Sequence, residues 1–437
     1  MKNIHNSLFV VLVMTVGITI HGQEKKHLSL DEAIRLGIEN SKTLKIDDTK
    51  IKLATAKYLE AKNNQLPSLS VSGSAIALTN ADVNFKIAAG GMGSNAPKAN
   101  SAFLGQLSAS LPLFAGGRIR YGIQSAEYLI EASKLNSEND KTAVAYNVSQ
   151  AYNNLFKSQQ AIKVLKENLT ASQERDATFL RLENNGVIAR NDRLKANLQT
   201  TNIEVQLLEA ENNFNIANIN MDLLLGLPET TEIEIDENYI KENFEDQPLE
   251  YYMTQAISNR KDLLALDYQK KAAALGIKAA KAEHLPTVGL TGGYVAAEVP
   301  KILTITNAAN IGIGLKYNID NLWKKNSSLE TAKAQEEQLS ATNELLNDQI
   351  KITVNQDYQN AQLSKRKITV YQKALEQSNE NYRITKNKYD NGLATMTDLL
   401  DANAIKISSN VNFINAKADA VLAEIKLQET TGVLHLQ

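Results

Sequence analysis

The chain contains two related copies of one segment, and this duplication constrains the fold more than any other feature of the sequence. Residues 30–74 align with residues 249–293 at a shift of 219, with 13 identities in 45 positions. Residues 148–226 align with residues 354–432 at a shift of 206, with 21 identities in 79 positions. Random pairing would give about three identities in the shorter block. The sequence therefore predicts two copies of one supersecondary unit.

Long stretches without proline predict long helices in each copy. All seven prolines lie outside residues 113–227 and 301–437, so a helix can continue through both segments. Residues 123–185 also lack glycine, and as one helix they would make a rod of about 95 Å. Apolar residues recur along this rod at three- and four-residue steps, which is typical of a coiled-coil seam. They are Ala145, Val148, Tyr152, Leu155, Ile162 and Leu169.

Turn signals divide each long helical segment into a hairpin. Gly186 and Gly392 each follow an asparagine, and each precedes a shorter amphipathic segment without proline. Another helix is predicted to open each copy, over residues 30–63 and 249–283, and both end at a Leu-Pro pair. Each copy should therefore contain an opening helix, two strands, a long helix and a returning helix.

Four segments between the opening and the long helices alternate apolar and polar residues, as strands with one apolar face do. They lie near residues 68–80, 101–114, 286–296 and 309–320. Each approaches the length that a tilted strand needs to cross a bilayer, and lipid would cover the apolar face. Four strands cannot close a barrel, so closure requires other subunits. A dimer would give eight strands with a filled interior, whereas a trimer would give twelve strands and leave a bore.

The N-terminus predicts export from the cytoplasm. Lys2 precedes a mainly apolar run of 13 residues at 8–20, and Gly22 follows just before a charged stretch. This is the layout of a secretory signal peptide over residues 1–22. The run is too short for a transmembrane helix, which needs about 20 apolar residues.

Composition excludes several classes of function. The chain has 47 basic and 49 acidic residues, a balance that gives no electrostatic attraction to nucleic acid. It has no cysteine, which excludes disulfides, thiolate metal sites and cysteine nucleophiles. Its five histidines show no metal-binding or catalytic spacing. Much redox and metal chemistry is thereby excluded. We predict a protein that is not an enzyme and that holds no cofactor and no metal.

Several sequence features together resemble the TolC-like outer-membrane efflux protein family, over essentially the whole mature chain. They are the opening Leu-Ser-Leu-Asp-Glu-Ala-Ile with Asn40, the Leu-Pro-Ser-Leu-Ser of the first strand, Leu-Pro-Leu-Phe-Ala-Gly-Gly-Arg at 111–118, and two Asn-Gly turns that each precede an aspartate by six positions. The resemblance implies an α+β membrane protein that forms a homotrimer. A twelve-stranded outer-membrane β-barrel, with four strands per chain, would continue as a long periplasmic α-helical barrel of coiled-coil hairpins.

The same resemblance implies a function and a set of partners. The protein would be the outer-membrane channel of a tripartite efflux or type I secretion system, a passive export duct across outer membrane and periplasm. Its partners would be two further copies of itself, outer-membrane lipid, a periplasmic adaptor (membrane-fusion) protein and an inner-membrane pump, with no nucleic acid.

Residues near the two turns match the family's periplasmic entrance. By resemblance, Asp192 and Tyr389 hold the entrance shut, and Asp398 and Asp401 form a ring of carboxylates inside it. The two aspartates of the ring lie three positions apart, hence on one helix face, and threefold symmetry would gather their copies around one axis. Such a ring favours cations. Capping of the helix by Asp398 is the alternative. Ala394 stands where some members have a basic residue of the entrance network.

Two further groups of residues allow two interpretations each. Gly186, Val187, Gly392 and Leu393 resemble the adaptor-contacting tips of the family, with ordinary packing inside each hairpin as the alternative. The acidic segment 229–248 separates the first repeat, 23–228, from the second, 249–437. By resemblance it joins a belt around the tunnel, and by composition it is a solvated acidic linker.

Two other classes of function fit parts of the sequence. A non-conducting periplasmic coiled-coil adaptor or scaffold would share the long hairpins, but it would extract in aqueous buffer, whereas a barrel would need detergent. An exported hydrolase acting through Asp398 and Asp401 is disfavoured, because carboxylates one helical turn apart do not by themselves make a catalytic cleft.

Overall fold

A computed structural model describes residues 25–81, 98–241 and 247–434. The predicted signal peptide lies outside these residues. The helices of the described ranges are α1 (Leu30–Glu39), α2 (Lys42–Asn63), α3 (Arg118–Asn184), α4 (Arg190–Leu225), α5 (Leu249–Asn259), α6 (Lys261–Ala282), α7 (Ser327–Asp390) and α8 (Met396–Thr430). The strands are β1 (Lys25–Leu28), β2 (Ser68–Ala81), β3 (Ala99–Phe114), β4 (Glu232–Ile235), β5 (Thr287–Val299) and β6 (Leu303–Lys316).

Both copies have the same succession of elements. Each has two opening helices, two long strands, one very long helix and one returning helix. Helices α3 and α7 contain 67 and 64 residues, so each is about 100 Å long. The returning helix packs along the long helix from the turn onward, and the opening helices cover the other half. Across the described residues, none of the helices combines the length and the apolarity that crossing a membrane requires.

The opening helix of each copy is interrupted, so the prediction of single helices over 30–63 and 249–283 is wrong. In the first copy the Ser41 hydroxyl accepts a hydrogen bond from the amide of Leu44 at 3.2 Å and starts α2. In the second copy Arg260, with extended backbone, separates α5 from α6. The chain bends at both places because the C-terminal end of the returning helix packs there.

Four long strands form one antiparallel sheet in the order β2-β3-β5-β6. Their register places most of the large apolar side chains on one face, where Val71 is 82% exposed, whereas Ile76, Leu104 and Val295 lie on the other face. This apolar face consists of Leu69, Val71, Leu107, Leu111, Leu290, Tyr294, Ile311 and Ile313. The opposite face carries Ser70, Ser72, Gln106, Ser108, Ser110, Thr291 and Asn310. The sheet thus has one face for an apolar environment and one for water.

The connection from the sheet to the long helix differs between the two copies. Before α3, Gly116 and Gly117 turn the chain with φ angles of 63° and 87°. The second copy has no glycine at its corner, and Ile319–Leu322 forms a 3-10 turn instead. The last strand therefore ends at Lys316, and its predicted extension to residue 320 is wrong.

The segment between the copies forms structure that the sequence did not reveal. Strand β4, within the acidic segment 229–248, pairs in parallel with β1. Ile233 and Ile235 are 1% and 4% exposed, so the prediction of a solvated linker is wrong for this strand. The Tyr152 hydroxyl of α3 donates a hydrogen bond to the carbonyl of Leu28 at 2.8 Å and fixes the small sheet against the long helix. The Glu-Ile-Glu-Ile alternation buries one face only.

Candidate functional site

The two helical hairpins, α3–α4 and α7–α8, end in turns of the same geometry. Gly186 and Gly392 adopt φ angles of 71° and 73°, which glycine tolerates without a Cβ clash. The amides of Val187 and Leu393 each donate to the carbonyl five residues earlier, at 2.9 and 2.8 Å, as in a Schellman motif. The side chains of Val187 and Leu393 are 67% and 78% exposed. Most of each side chain therefore lies outside the packing of its own hairpin.

Tyr389 and Asp192 lie close together although they belong to different hairpins. Tyr389 is near the end of α7, and Asp192 is in the first turn of α4. Burial raises the pKa of Tyr389 above its ordinary value, and the negative charges of Asp192 and then Asp390 add to this. The phenol is therefore neutral at pH 7 and can act as a hydrogen-bond donor. The N-cap of α4 is Ala189, which has no hydroxyl for Asp192 to engage.

Asp398 completes the capping box of helix α8, whose N-cap is Thr395, and it also belongs to an exposed acidic face. The amide of Thr395 donates to Asp398 Oδ2 at 2.8 Å, and the Thr395 hydroxyl donates to the same oxygen at 2.6 Å. These two hydrogen bonds hold the pKa of Asp398 below its usual value, so the carboxylate is ionised. Asp401 is exposed like Asp398, whereas Leu399 and Ala402 are buried. Both aspartates thus lie on the solvent-exposed face of α8. The described residues contain no group of three His, Asp or Glu side chains placed to hold a metal ion.

An apolar cluster that sequence reasoning missed joins the two hairpins beside Tyr389. Its most buried members are Phe179, Ala196 and Met396, with exposures of 5%, 2% and 3%. The ring of Phe179 meets the ring of Tyr389 edge-on, with centroids 6.0 Å apart. We call this group the tip cluster, and it consists of Phe179, Leu182, Ile188, Ala196, Tyr389, Met396 and Leu400. The available sequence signal was Phe179 with Leu180 and Leu182, a short apolar group after a polar stretch of α3.

The fold and the hairpin ends define a class of protein, namely a channel subunit with long helical hairpins attached to a sheet that exposes one apolar face. Residues 33–227 and 252–433 match the family described as outer membrane efflux protein. The chain belongs to this family, which confirms the resemblance predicted from the sequence. It is an outer-membrane efflux channel, located in the outer membrane and extending into the periplasm.

Individual relatives are distant in sequence but similar over most of their length. The outer membrane efflux protein BepC of Brucella suis biovar 1 (strain 1330) is 22% identical over 332 residues, which are 73% of this chain and 70% of BepC. A solved structure of CusC is 18% identical with a TM-score of 0.77, and the match covers 92% of each chain. The open state of the Neisseria gonorrhoeae MtrE outer membrane channel is 20% identical with a TM-score of 0.73, covering 93% of this chain and 89% of MtrE. The solved structures share the fold of this chain.

Proposed function

We propose that three copies of this chain close a twelve-stranded barrel in the outer membrane, continued by a helical tunnel through the periplasm. The observation that carries this proposal is the open four-stranded sheet with its apolar face. Within the described residues, the outer edges of β2 and β6 have no neighbouring strand, and both strands contain 14 residues. Since strand direction alternates across the sheet, β6 of one copy can pair antiparallel with β2 of the next and leave no edge in the lipid.

The number of copies follows from the width that a duct needs. Two copies would give eight strands, whose interior is filled by side chains, whereas three copies leave a bore. The apolar face, with Leu69 and Ile313, would meet lipid, and the face with Ser70 and Asn310 would line the water-filled interior. This arrangement has the alternation that a transmembrane barrel requires.

The hairpin ends form the periplasmic entrance in this proposal. Asp192 and Tyr389 hold neighbouring hairpins together, and the exposed carboxylates of Asp398 and Asp401 from three copies form a ring inside the entrance that prefers cations. The tips, Gly186 with Val187 and Gly392 with Leu393, contact a periplasmic adaptor that links the channel to an inner-membrane pump. The pump supplies the energy, and the duct itself is passive and carries out no catalysis. The open state described for MtrE supports an entrance that opens.

Planar-bilayer recording of the purified protein tests the proposal. We expect single-channel currents that prefer cations, and we expect Asp192→Ala and Tyr389→Ala to increase the time spent open. Glu174→Ala, at an exposed position of α3, is the matched control and should behave like the unaltered protein. Protein that extracts in aqueous buffer and never conducts, even with both entrance substitutions, would contradict the channel and favour a scaffold.

A further inference from the structure

We propose that the tip cluster is an apolar clamp, centred on Phe179, that holds the entrance closed by keeping Tyr389 in position. The inference rests on the proposed channel function and concerns the regulation of its entrance. The electrostatic interaction of Tyr389 with Asp192 then adds to an apolar contact that contributes most of the stability of the closed state.

The clamp includes side chains from all four helices at the tips. Phe179 lies on α3, Ala196 on α4, Tyr389 on α7 and Met396 on α8. Phe179, Ala196 and Met396 are as buried as residues of a protein core within a single chain. The rings of Phe179 and Tyr389 are inclined at 62°, the edge-to-face geometry that aromatic pairs prefer. The two hairpins therefore share one small apolar core near their tips.

The two copies differ at the positions that matter for this contact. In the first hairpin, Glu183 of α3 forms an ion pair with Arg193 of α4. The aligned positions of the second copy are Tyr389 and Leu399. An ion pair thus joins the two helices of the first hairpin. The second hairpin has an aromatic ring at the aligned position, and this ring contacts Phe179 of the first hairpin. Because Tyr389 stands where the first copy has the ion-paired Glu183, its side chain can contact the other hairpin.

Opening the entrance requires the two hairpins to separate. Separation exposes the ring of Phe179 and the side chain of Met396 to water, which opposes opening. It also removes the surface that fixes the Tyr389 ring within reach of the charge of Asp192. Phe179 is therefore a positioning residue that acts through Tyr389.

The first experiment compares two phenylalanines of the same helix in single-channel recordings. Phe179→Ala should raise the open fraction by about tenfold or more, and Phe179→Leu should restore most of the closed state. Phe156→Ala is the matched control, because Phe156 is 2% exposed and meets the ring of Tyr239 edge-on at 5.3 Å, far from the tips. It should lower thermal stability and leave the open fraction unchanged.

The second experiment measures exposure of the clamp without recording current. The chain has no cysteine, so Ala196→Cys, at a position 2% exposed, places a single thiol inside the clamp. Adding Phe179→Ala should speed labelling of this thiol by a maleimide about tenfold. Ala256→Cys, at a fully buried position of α5, is the control and should label at an unchanged rate.

The possible outcomes distinguish a failure of the clamp proposal from a failure of the proposed channel function. An open fraction of Phe179→Ala equal to that of Phe156→Ala, or an unchanged labelling rate at position 196, would overturn the clamp while leaving the channel intact. Unaltered protein that carries no current under any condition would overturn the channel function instead.

Discussion

The side-chain amide of Asn40 donates a hydrogen bond to the main-chain oxygen of Leu225 at 2.9 Å. It thereby links the break between α1 and α2 to the last residue of α4, and it donates a second hydrogen bond to the carbonyl of Leu36 at 3.1 Å. In the second copy, Arg260 donates to the carbonyl of Thr430 at 2.9 Å. Both copies thus join their opening and returning helices at the same place with different side chains.

Replacement of Asn40 tests the strength of this joint. Asn40→Ala should lower the free energy of unfolding by about 1–2 kcal/mol, because the carbonyls at the ends of α1 and α4 lose a donor. Thermal unfolding of the detergent-solubilised protein, followed by circular dichroism, measures the change. Asn63→Ala, at an exposed position at the end of α2, is the control. Equal midpoints for the two variants would contradict the role of Asn40.

The glycine that follows α4 should tolerate no side chain. Gly226 has a φ of 69°, and a Cβ added there would lie 2.8 Å from the Cβ of Asn40. Gly186 has a φ of 71° and nothing within 4 Å of an added Cβ. Both alanine variants bear the backbone strain of about 1 kcal/mol, but only Gly226→Ala adds the clash. The melting temperature of Gly226→Ala should therefore be lower than that of Gly186→Ala, and equal values would disprove the close approach.

A buried carboxyl should make stability depend on pH. Asp222 is fully buried, and Asn218 donates to one of its carboxylate oxygens at 2.9 Å. Burial, and secondarily the charge of Glu229, raises the pKa of Asp222 to about 6. The unfolded chain releases this proton near pH 4, so the folded state binds more protons between these values. The free energy of unfolding should therefore fall as pH rises from about 4 to about 6, by on the order of 3 kcal/mol.

Asp222→Asn isolates this contribution from that of the other titrating groups. Chemical denaturation at several pH values should show a smaller decline for the variant than for the unaltered protein. Asp48→Asn, at an exposed position of α2, should keep the full decline. A variant at position 222 whose stability follows the same pH curve as the unaltered protein would refute the raised pKa.

Adjacent residues of β2 should differ sharply in their tolerance of charge. Val71 belongs to the apolar face of the sheet, and Ser72 belongs to the opposite face. Val71→Lys should reduce the oligomer recovered from the outer membrane, since a lysine at the lipid face costs about 2–4 kcal/mol near the bilayer midplane. Ser72→Lys should assemble normally because its side chain enters water. Heat-modifiable oligomer on a denaturing gel gives the measurement, and equal assembly of both variants would reject the barrel orientation.

Replacing each of the two aspartates of α8 by alanine should have different effects. Asp398→Ala should lower the free energy of unfolding by about 1 kcal/mol, because the capping box with Thr395 is lost. It should also reduce the preference for cations. Asp401→Ala should reduce only the preference for cations. Reversal potentials under a salt gradient measure the preference, and thermal unfolding measures the cap. Unchanged reversal potentials for Asp401→Ala would argue against the carboxylate ring.

Patterns that are local in the sequence predicted much of the fold. The duplication, the absence of proline over long stretches and the alternation of apolar residues indicated the succession of helices and strands in each copy. The break at Ser41 was hidden because the capping serine lies inside a continuous helical pattern, and its use depends on the end of α4 packing nearby. Tertiary contact overrides helix propensity at such points.

Contacts between distant segments could not be predicted in the same way. Strands β1 and β4 contain four residues each and pair across about 200 residues of chain, too short and too far apart for a periodic signal. The tip cluster combines side chains from four helices, and only Tyr389 among them had a role in the sequence prediction. The roles of Asp192, Tyr389, Asp398 and Asp401 at the entrance stay predictions, which the recordings above address.

The pairing of β1 with β4 also bears on how the chain matures after secretion. A chain exported from its N-terminus delivers Leu28 to the periplasm long before Ile235, yet the two residues are buried in the same small core. Leu28 therefore stays exposed until the whole first copy has been secreted. Pairing with β4 gives β1 its partner, but the core around Leu28 is complete only when α8 of the second copy adds Ala418, Val421 and Ile425.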